Sequence, residues 1–153
     1  VVPFAPGGVN DIIGRRWAQD LSKVLGQNVI VENRAGASGA IGASEVARSK
    51  PDGYTLLIAN TTTHVLSPLG NPKLGYDPLK DFTALGIITL VPTGVAVHPS
   101  MPVKNLKELI AFAKRNPGKL SFGSAGTGSI THLTGELFKK LNGDLKIVHV
   151  PYK

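Results

Sequence analysis

The sequence has no cysteine, one methionine, one tryptophan and only 6% aromatic residues among 153. Without cysteine there is no disulfide scaffold, zinc–thiolate centre, iron–sulfur cluster or thiol nucleophile, and the redox compartment stays open. No apolar run is long enough to cross a membrane, and no signal-peptide pattern is present. The four histidines, His64, His98, His132 and His149, lack metal-ligand spacing. Asp52, Asp77 and Asp81 read as turn residues, and no carboxylate pair stands ready for acid–base work. The phosphate motifs are missing as well. There is no G-x-x-x-x-G-K-[ST], Gly36, Gly39 and Gly42 are spaced G-x-x-G-x-x-G, and Thr131 replaces the third glycine after Gly126 and Gly128. Ser124 and Ser129 lack the G-x-S-x-G frame of a nucleophile elbow, which leaves them helix capping or hydrogen bonding to a ligand.

What is present is glycine (18), proline (11) and 42% hydrophobic residues against 18% charged. That composition suits one domain with a core, or two small lobes with many special turns. Lysine and arginine exceed aspartate and glutamate by 17 to 10, a net +7. The basic residues are spread along the chain without interleaved aromatics, which fits solvated faces better than nucleic-acid binding. The first and last residues fall in or beside apolar strand-like runs, so the sequence is expected to be a piece of a longer chain.

The pattern alternates strand and helix. Val1–Ala5 reads as a strand, and Ile13, Trp17, Leu21 and Val24 as one helix face ending at Gly26. Val29–Val31 reads as a buried strand, Gly36 to Gly42 as a lead into a short helix, and Tyr54–Ala59 as a third strand after the turn Pro51-Asp52-Gly53. Crossover helices between short buried strands imply a parallel sheet. Pro68, Pro72 and Pro78 leave no room for an ordinary helix over residues 60–83. Ala84–Val91 and Gly94–His98 read as strands. A second unit then opens, with Asn105 as an N-cap, a helix face of Leu106, Leu109, Ile110 and Ala113, and a stop at Asn116-Pro117-Gly118. Strand Leu120–Phe122, a helix marked by Leu133, Leu137 and Leu141, and strand Lys146–Val150 follow. The expected boundary divides residues 1–98 from residues 99–153.

Two loops share one design. Pro6-Gly7-Gly8-Val9-Asn10 and Gly123-Ser124-Ala125-Gly126-Thr127-Gly128-Ser129 each run from a strand into a helix. Such a junction turns backbone N–H groups and a helix N-terminus outward, which favours an anion. In open α/β sheets, ligands bind beyond the carboxyl ends of the strands, where both loops fall. Asp11 reads as a helix cap that also holds the first loop, and Asn60-Thr61-Thr62-Thr63 as a polar third contact. His132 lies beside the second loop, with a ligand-facing or a packing role, and His149 reads as strand structure. Three readings stay open: a solute-binding module, an α/β enzyme or nucleotide-binding domain holding phosphate in the same loops, and a structural piece without a competent site.

Longer stretches are more specific. Val2-Pro3-Phe4-Ala5-Pro6-Gly7-Gly8 with Asp11, Val31-Glu32-Asn33-Arg34, Gly36 through Ile41-Gly42, and Pro51-Asp52-Gly53-Tyr54-Thr55-Leu56-Leu57 resemble the Bug family of extracytoplasmic receptors of tripartite tricarboxylate transporters. Tyr76-Asp77-Pro78, His98-Pro99-Ser100, Gly123-Ser124-Ala125-Gly126, His132-Leu133 with Gly135-Glu136-Leu137-Phe138, and His149-Val150-Pro151-Tyr152-Lys153 continue the match in order. Ala35, Ser38, Ala40 and Ser67 depart from residues common in that family.

The resemblance implies an α/β, periplasmic-binding-protein-like fold of two lobes, incomplete at its C-terminal side. It also implies a periplasmic, non-enzymatic receptor, monomeric when whole, without metal or cofactor. Such a receptor captures a small carboxylate and presents it to membrane transporter subunits. Carried over, Phe4, Pro6, Gly7, Gly8 and Asp11 line the first lobe. Ser124, Ala125, Gly126, Thr127, Gly128 and Ser129 line the second, and Asn60, Thr61 and Thr62 join the expected site beside the first by their position after the third strand.

Overall fold

A computed structural model describes residues 1–71 and 73–152. Pro72 and Lys153, both used in the sequence reading, lie outside the described residues. The chain divides into two compact units, Val1–Ile88 and Thr89–Tyr152.

In the first unit the expected strands Val1–Ala5, Val29–Val31 and Tyr54–Ala59 do not form as full strands among the described residues, because the pairing is only one or two residues long. The N-terminal segment is held instead by a single parallel bridge, Val2 to Asn33, and a few backbone bonds. Val2 N–H donates to Glu32 O (2.7 Å) and Arg34 N–H donates to Val2 O (2.9 Å). On the other side the Val1 ammonium donates to Leu56 O (2.6 Å) and Ile58 N–H to Val1 O (3.0 Å). Residues 32–34 and 56–58 thus flank Val1 and Val2 in parallel, a minimal sheet of bridge-length pairings. The second ladder lies beyond the expected Val29–Val31, whose Ile30 is exposed.

Helix α1 (Val9–Leu25) returns across this sheet and stops at Gly26 in the left-handed conformation (φ 64°). Its buried residues are Asp11, Gly14 and Ala18. The expected face is therefore rotated, and Val24 is 82% exposed. The reason is contact distance: a Cβ on Gly14 would stand 2.8 Å from Val2 Cγ2, so the helix approaches the strand through its smallest side chains.

A single 3₁₀ turn (Ala37–Gly39) leads into α2 (Ala40–Ala47). Its glycines permit equally close packing. A Cβ on Gly39 would stand 2.7 Å from Thr63 Cγ2 and 3.0 Å from Phe4 Cζ, and one on Gly42 would stand 2.8 Å from Arg34 O. After residue 60 the chain makes a π-helical turn (Thr62–Leu66) and the four-residue α3 (Ser67–Gly70).

The expected strands Ala84–Val91 and Gly94–His98 join no ladder among the described residues. Leu85, Ile87 and Leu90 are highly exposed. Their composition is that of strands, but a strand forms only where a partner edge meets it.

In the second unit, α4 (Leu106–Arg115) opens with a capping box. Asn105 Oδ1 accepts from Glu108 N–H (3.0 Å), and Glu108 Oε2 accepts from Lys104 N–H (2.7 Å). Leu109 and Ala113 are its buried face. Strand β1 (Leu120–Ser124) pairs in parallel with β2 (Ile147–Pro151), with Phe122 opposite His149 and Ser124 opposite Pro151. Helix α5 (Ile130–Leu141) is the crossover between them. Its expected core residues stay largely open, and Leu141 is 74% exposed. The contact with the sheet runs instead through Gly135, where a Cβ would collide with the Phe122 ring.

Candidate functional site

The first loop is held from behind and open in front. Gly7 takes a positive φ (82°), and Gly8 is the N-cap of α1. A glycine has no side chain with which to cap, so the first donors of the helix go unanswered. Among the described residues, the N–H groups of Gly8, Val9 and Asn10 have no hydrogen-bond partner. They cluster at the positive end of a 17-residue helix, a setting that attracts an anion.

Behind them lies Asp11, 3% exposed. It sits one turn into the helix, not at the N-cap. Its carboxylate accepts Gly7 N–H (2.9 Å), Asn33 Nδ2–H (3.0 Å) and Arg15 Nε–H, which stands 3.0 Å from both oxygens. The Arg15 bond, then the Gly7 N–H and the Asn33 amide, hold the carboxyl at a pKa of about 2, so it is ionised but balanced. Asn33 completes the brace. Its Nδ2 also donates to Phe4 O (3.0 Å), and its Oδ1 accepts from Arg15 Nη2 (3.0 Å). The Phe4 carbonyl and the Gly7 amide are thereby pinned at either end of the exposed Ala5-Pro6 pair. Asn33 and Arg15 had no assigned role in the sequence. The sole sequence signal was that Asn33 lies in one of the family-like stretches.

The third segment stands close by. Phe4 and Thr63 both meet the space at Gly39. Asn60 Oδ1 accepts from Thr63 N–H (3.1 Å), and Thr63 Oγ1 donates to Asn60 O (3.1 Å). Thr62 and Thr63 are fully buried, whereas Thr61 is exposed. Tyr76 Oη donates to Thr63 O (2.6 Å), and the His64, Tyr76 and Phe82 rings pack together behind the turn.

The second loop is built differently. Ser129 caps α5, its Oγ accepting from His132 N–H (3.3 Å). Ala125 N–H donates to Thr131 Oγ1 (3.0 Å), Gly126 N–H to Ser124 Oγ (3.3 Å), Gly128 N–H to His132 Nδ1 (3.1 Å) and Ser129 N–H to Gly126 O (3.2 Å). The expectation that both loops present free backbone donors therefore holds for the first and not for these four amides. The physical reason is local competition: threonine, serine and histidine side chains within reach accept three of the N–H groups, and the Gly126 carbonyl accepts the fourth. Ser124 is buried and shares a 2.6 Å hydrogen bond with His149 Nε2. The His149 ring stacks on His132 (4.0 Å between centroids) and leans on Phe122 (5.0 Å).

No group of three His, Asp or Glu able to hold a metal occurs among the described residues. Two surface hollows, one beside Glu136, Lys139 and Lys146 and one beside Ser44, Glu45 and Arg48, include no residue of either loop.

The family model for the tripartite tricarboxylate transporter family receptor matches residues 13–153. A protein of Agrobacterium vitis from the TAR-I ttuE-ttuC' intergenic region is 42% identical over 153 residues, covering all of this chain and 44% of the relative. The chain thus spans less than half of that relative's length.

Solved structures agree. One described as a periplasmic transporter is 50% identical with a TM-score of 0.88, covering 99% of this chain and 50% of the other. An R. palustris protein solved with adipate is 41% identical with a TM-score of 0.94, covering 99% and 51%. MatC of Rhodopseudomonas palustris, solved with malate, is 34% identical with a TM-score of 0.88, again covering 99% and 51%. These neighbours are periplasmic solute-binding proteins of two-lobed α/β fold, of which this chain corresponds to about half. The chain belongs to the tripartite tricarboxylate transporter receptor family, the family of the Bug proteins.

Proposed function

We propose that this chain carries the carboxylate-capturing loops of a periplasmic receptor that is not an enzyme. The ligand is a small di- or tricarboxylate, an acidic amino acid or an aromatic acid. It sits between a lobe built on residues 1–98 and one begun by residues 99–153. Phe4, Pro6, Gly7 and Gly8 surround it in the first lobe, with Asn60, Thr61 and Thr62 supporting from the side. Ser124 through Ser129 face it from the second.

The observation that carries this reading is the first loop. Among the described residues, three unpartnered N–H groups stand at a helix N-terminus, with the adjacent Asp11 charge balanced by Arg15 and hydrogen-bonded by Asn33. A carboxylate offers two acceptor oxygens to such donors, and charge-assisted bonds of this kind are the strong ones. The adipate and malate held by structural neighbours belong to the same ligand class. Closure of the lobes on the ligand presents it to membrane transporter subunits, a population shift driven by contacts made only when closed.

The test is calorimetric titration of the intact protein with adipate, malate, citrate, glutamate and benzoate, with phosphate and ATP as controls. Saturable binding of at least one carboxylate and none of the controls is expected. Binding of phosphate or ATP alone would replace this reading with a phosphate site in the same loops.

A further inference from the structure

The second loop owes its shape to Ser124 and to side chains in the first turn of α5, and one of these is a histidine. Gly128 takes a positive φ (81°), and its N–H donates to His132 Nδ1 (3.1 Å). That nitrogen must therefore carry no proton. The neighbouring contact has no such requirement. The Ser124 hydroxyl meets His149 Nε2 at 2.6 Å and can donate to a bare nitrogen or accept from a protonated one.

We propose that His132 is a positioning residue for the ligand-facing second loop, its bare Nδ1 holding Gly128 in place and its protonation releasing that loop. This rests on the carboxylate-binding reading above.

The surroundings favour the bare form. Burial is the first cause, the His149 ring stacked 4.0 Å away from β2 is the second, and both lower the pKa of His132. On α5, Glu136 raises it and Lys139 lowers it, and these two pair with each other at 2.8 Å. The β1 side chains at this place, Phe122 and Ser124, are uncharged. The sign follows. A histidine whose folded pKa lies below 6.5 keeps its bond above that value and loses it as pH falls through the lowered pKa. The loop is then ordered near neutral pH and slack in acid, so the ligand must restore its order on binding.

The experiment follows ¹⁵N amide and histidine ring signals of the intact protein through pH, alongside calorimetry with adipate. His132→Asn keeps an acceptor near the Nδ1 position and cannot titrate, and it sees the same ligand ionisation as the natural protein. His132→Ala removes the acceptor at every pH. In the natural protein the Gly128 amide should shift with the His132 ring. Adipate affinity relative to His132→Asn should fall about fivefold on the acid side, the worth of one net hydrogen bond. His132→Ala should bind about fivefold more weakly even at neutral pH.

A Gly128 amide indifferent to the His132 titration would overturn the proposal. So would a Gly128 amide that follows the ring while relative affinity stays flat or rises. If no carboxylate binds at any pH, the functional reading fails instead, and the holding of Gly128 is judged by the amide alone.

Discussion

The two glycine-rich loops look alike in sequence and differ in what they do with their donors. The first leaves Gly8, Val9 and Asn10 unpartnered among the described residues and is braced from behind by Asp11, Arg15 and Asn33. The second spends its amides on Ser124, Thr131 and His132. The lesson concerns side chains rather than glycines. Around Pro-Gly-Gly, Asp11 accepts only the Gly7 N–H, so an outside ligand can partner the amides that follow. Ser124 and the α5 residues Thr131 and His132 accept amides of the second loop, so its shape is set before any ligand arrives.

The largest effect that breaks this contrast is at the support of the first loop. Gly39→Val forces a side chain into Phe4 and Thr63 at a positive φ of 91°. Overpacking of about 1–3 kcal/mol, with strain of similar size, should lower the urea midpoint of the intact protein clearly. An unchanged midpoint would mean the first loop does not depend on that packing.

Next comes a matched pair. Gly8 has an ordinary φ of −76°, and a Cβ there meets only Ala5 O at 3.6 Å, so Gly8→Val should fold normally. Its branched side chain crowds the free donors, and carboxylate affinity should fall by at least about tenfold, the worth of one charge-assisted bond. Gly126 has a φ of 107°, so Gly126→Val should lose stability as well as affinity. Thermal melts beside calorimetry separate the two cases. Wild-type affinity in both variants would end the two-loop model.

Smaller still, Ser129→Ala removes the cap of α5 and should cost about 1 kcal/mol, read as a shift in the denaturation midpoint. The mildest effect is the acid limb. The folded pKa of Asp11, about 2, lies below its ordinary 3.8, so the stability it adds is present above that ordinary value and fades as pH falls through 2. Asp11→Asn should flatten part of that loss, while Asp20, Asp77 and Glu136, also lowered, retain the rest. Melting temperatures from about pH 5 down to about pH 2 would show it.

Local chemistry was legible in the sequence. The caps at Asn105 and Ser129, the stop at Gly26 and the strand–helix–strand order of the second unit follow from rules that act within a few residues. What depends on distant neighbours was not. The burial of Asp11 requires Asn33 from another strand. The exposure of Val24 and Leu141 follows from which small residue, Gly14 or Gly135, meets the sheet. Residues 84–98 have the composition of strands yet join no ladder among the described residues, because pairing needs an edge that composition does not encode. The two glycine-rich loops leading into α1 and α5 were legible as the place to look for a site. Which amides were free could be read only from coordinates.

The most direct test of the central claim is an amide NMR titration of the intact protein with adipate. The Gly8, Val9 and Asn10 signals should move together and saturate, with larger shifts than those of Ala125, Gly126 and Gly128. Saturable adipate binding that leaves those three first-loop amides unmoved would contradict it.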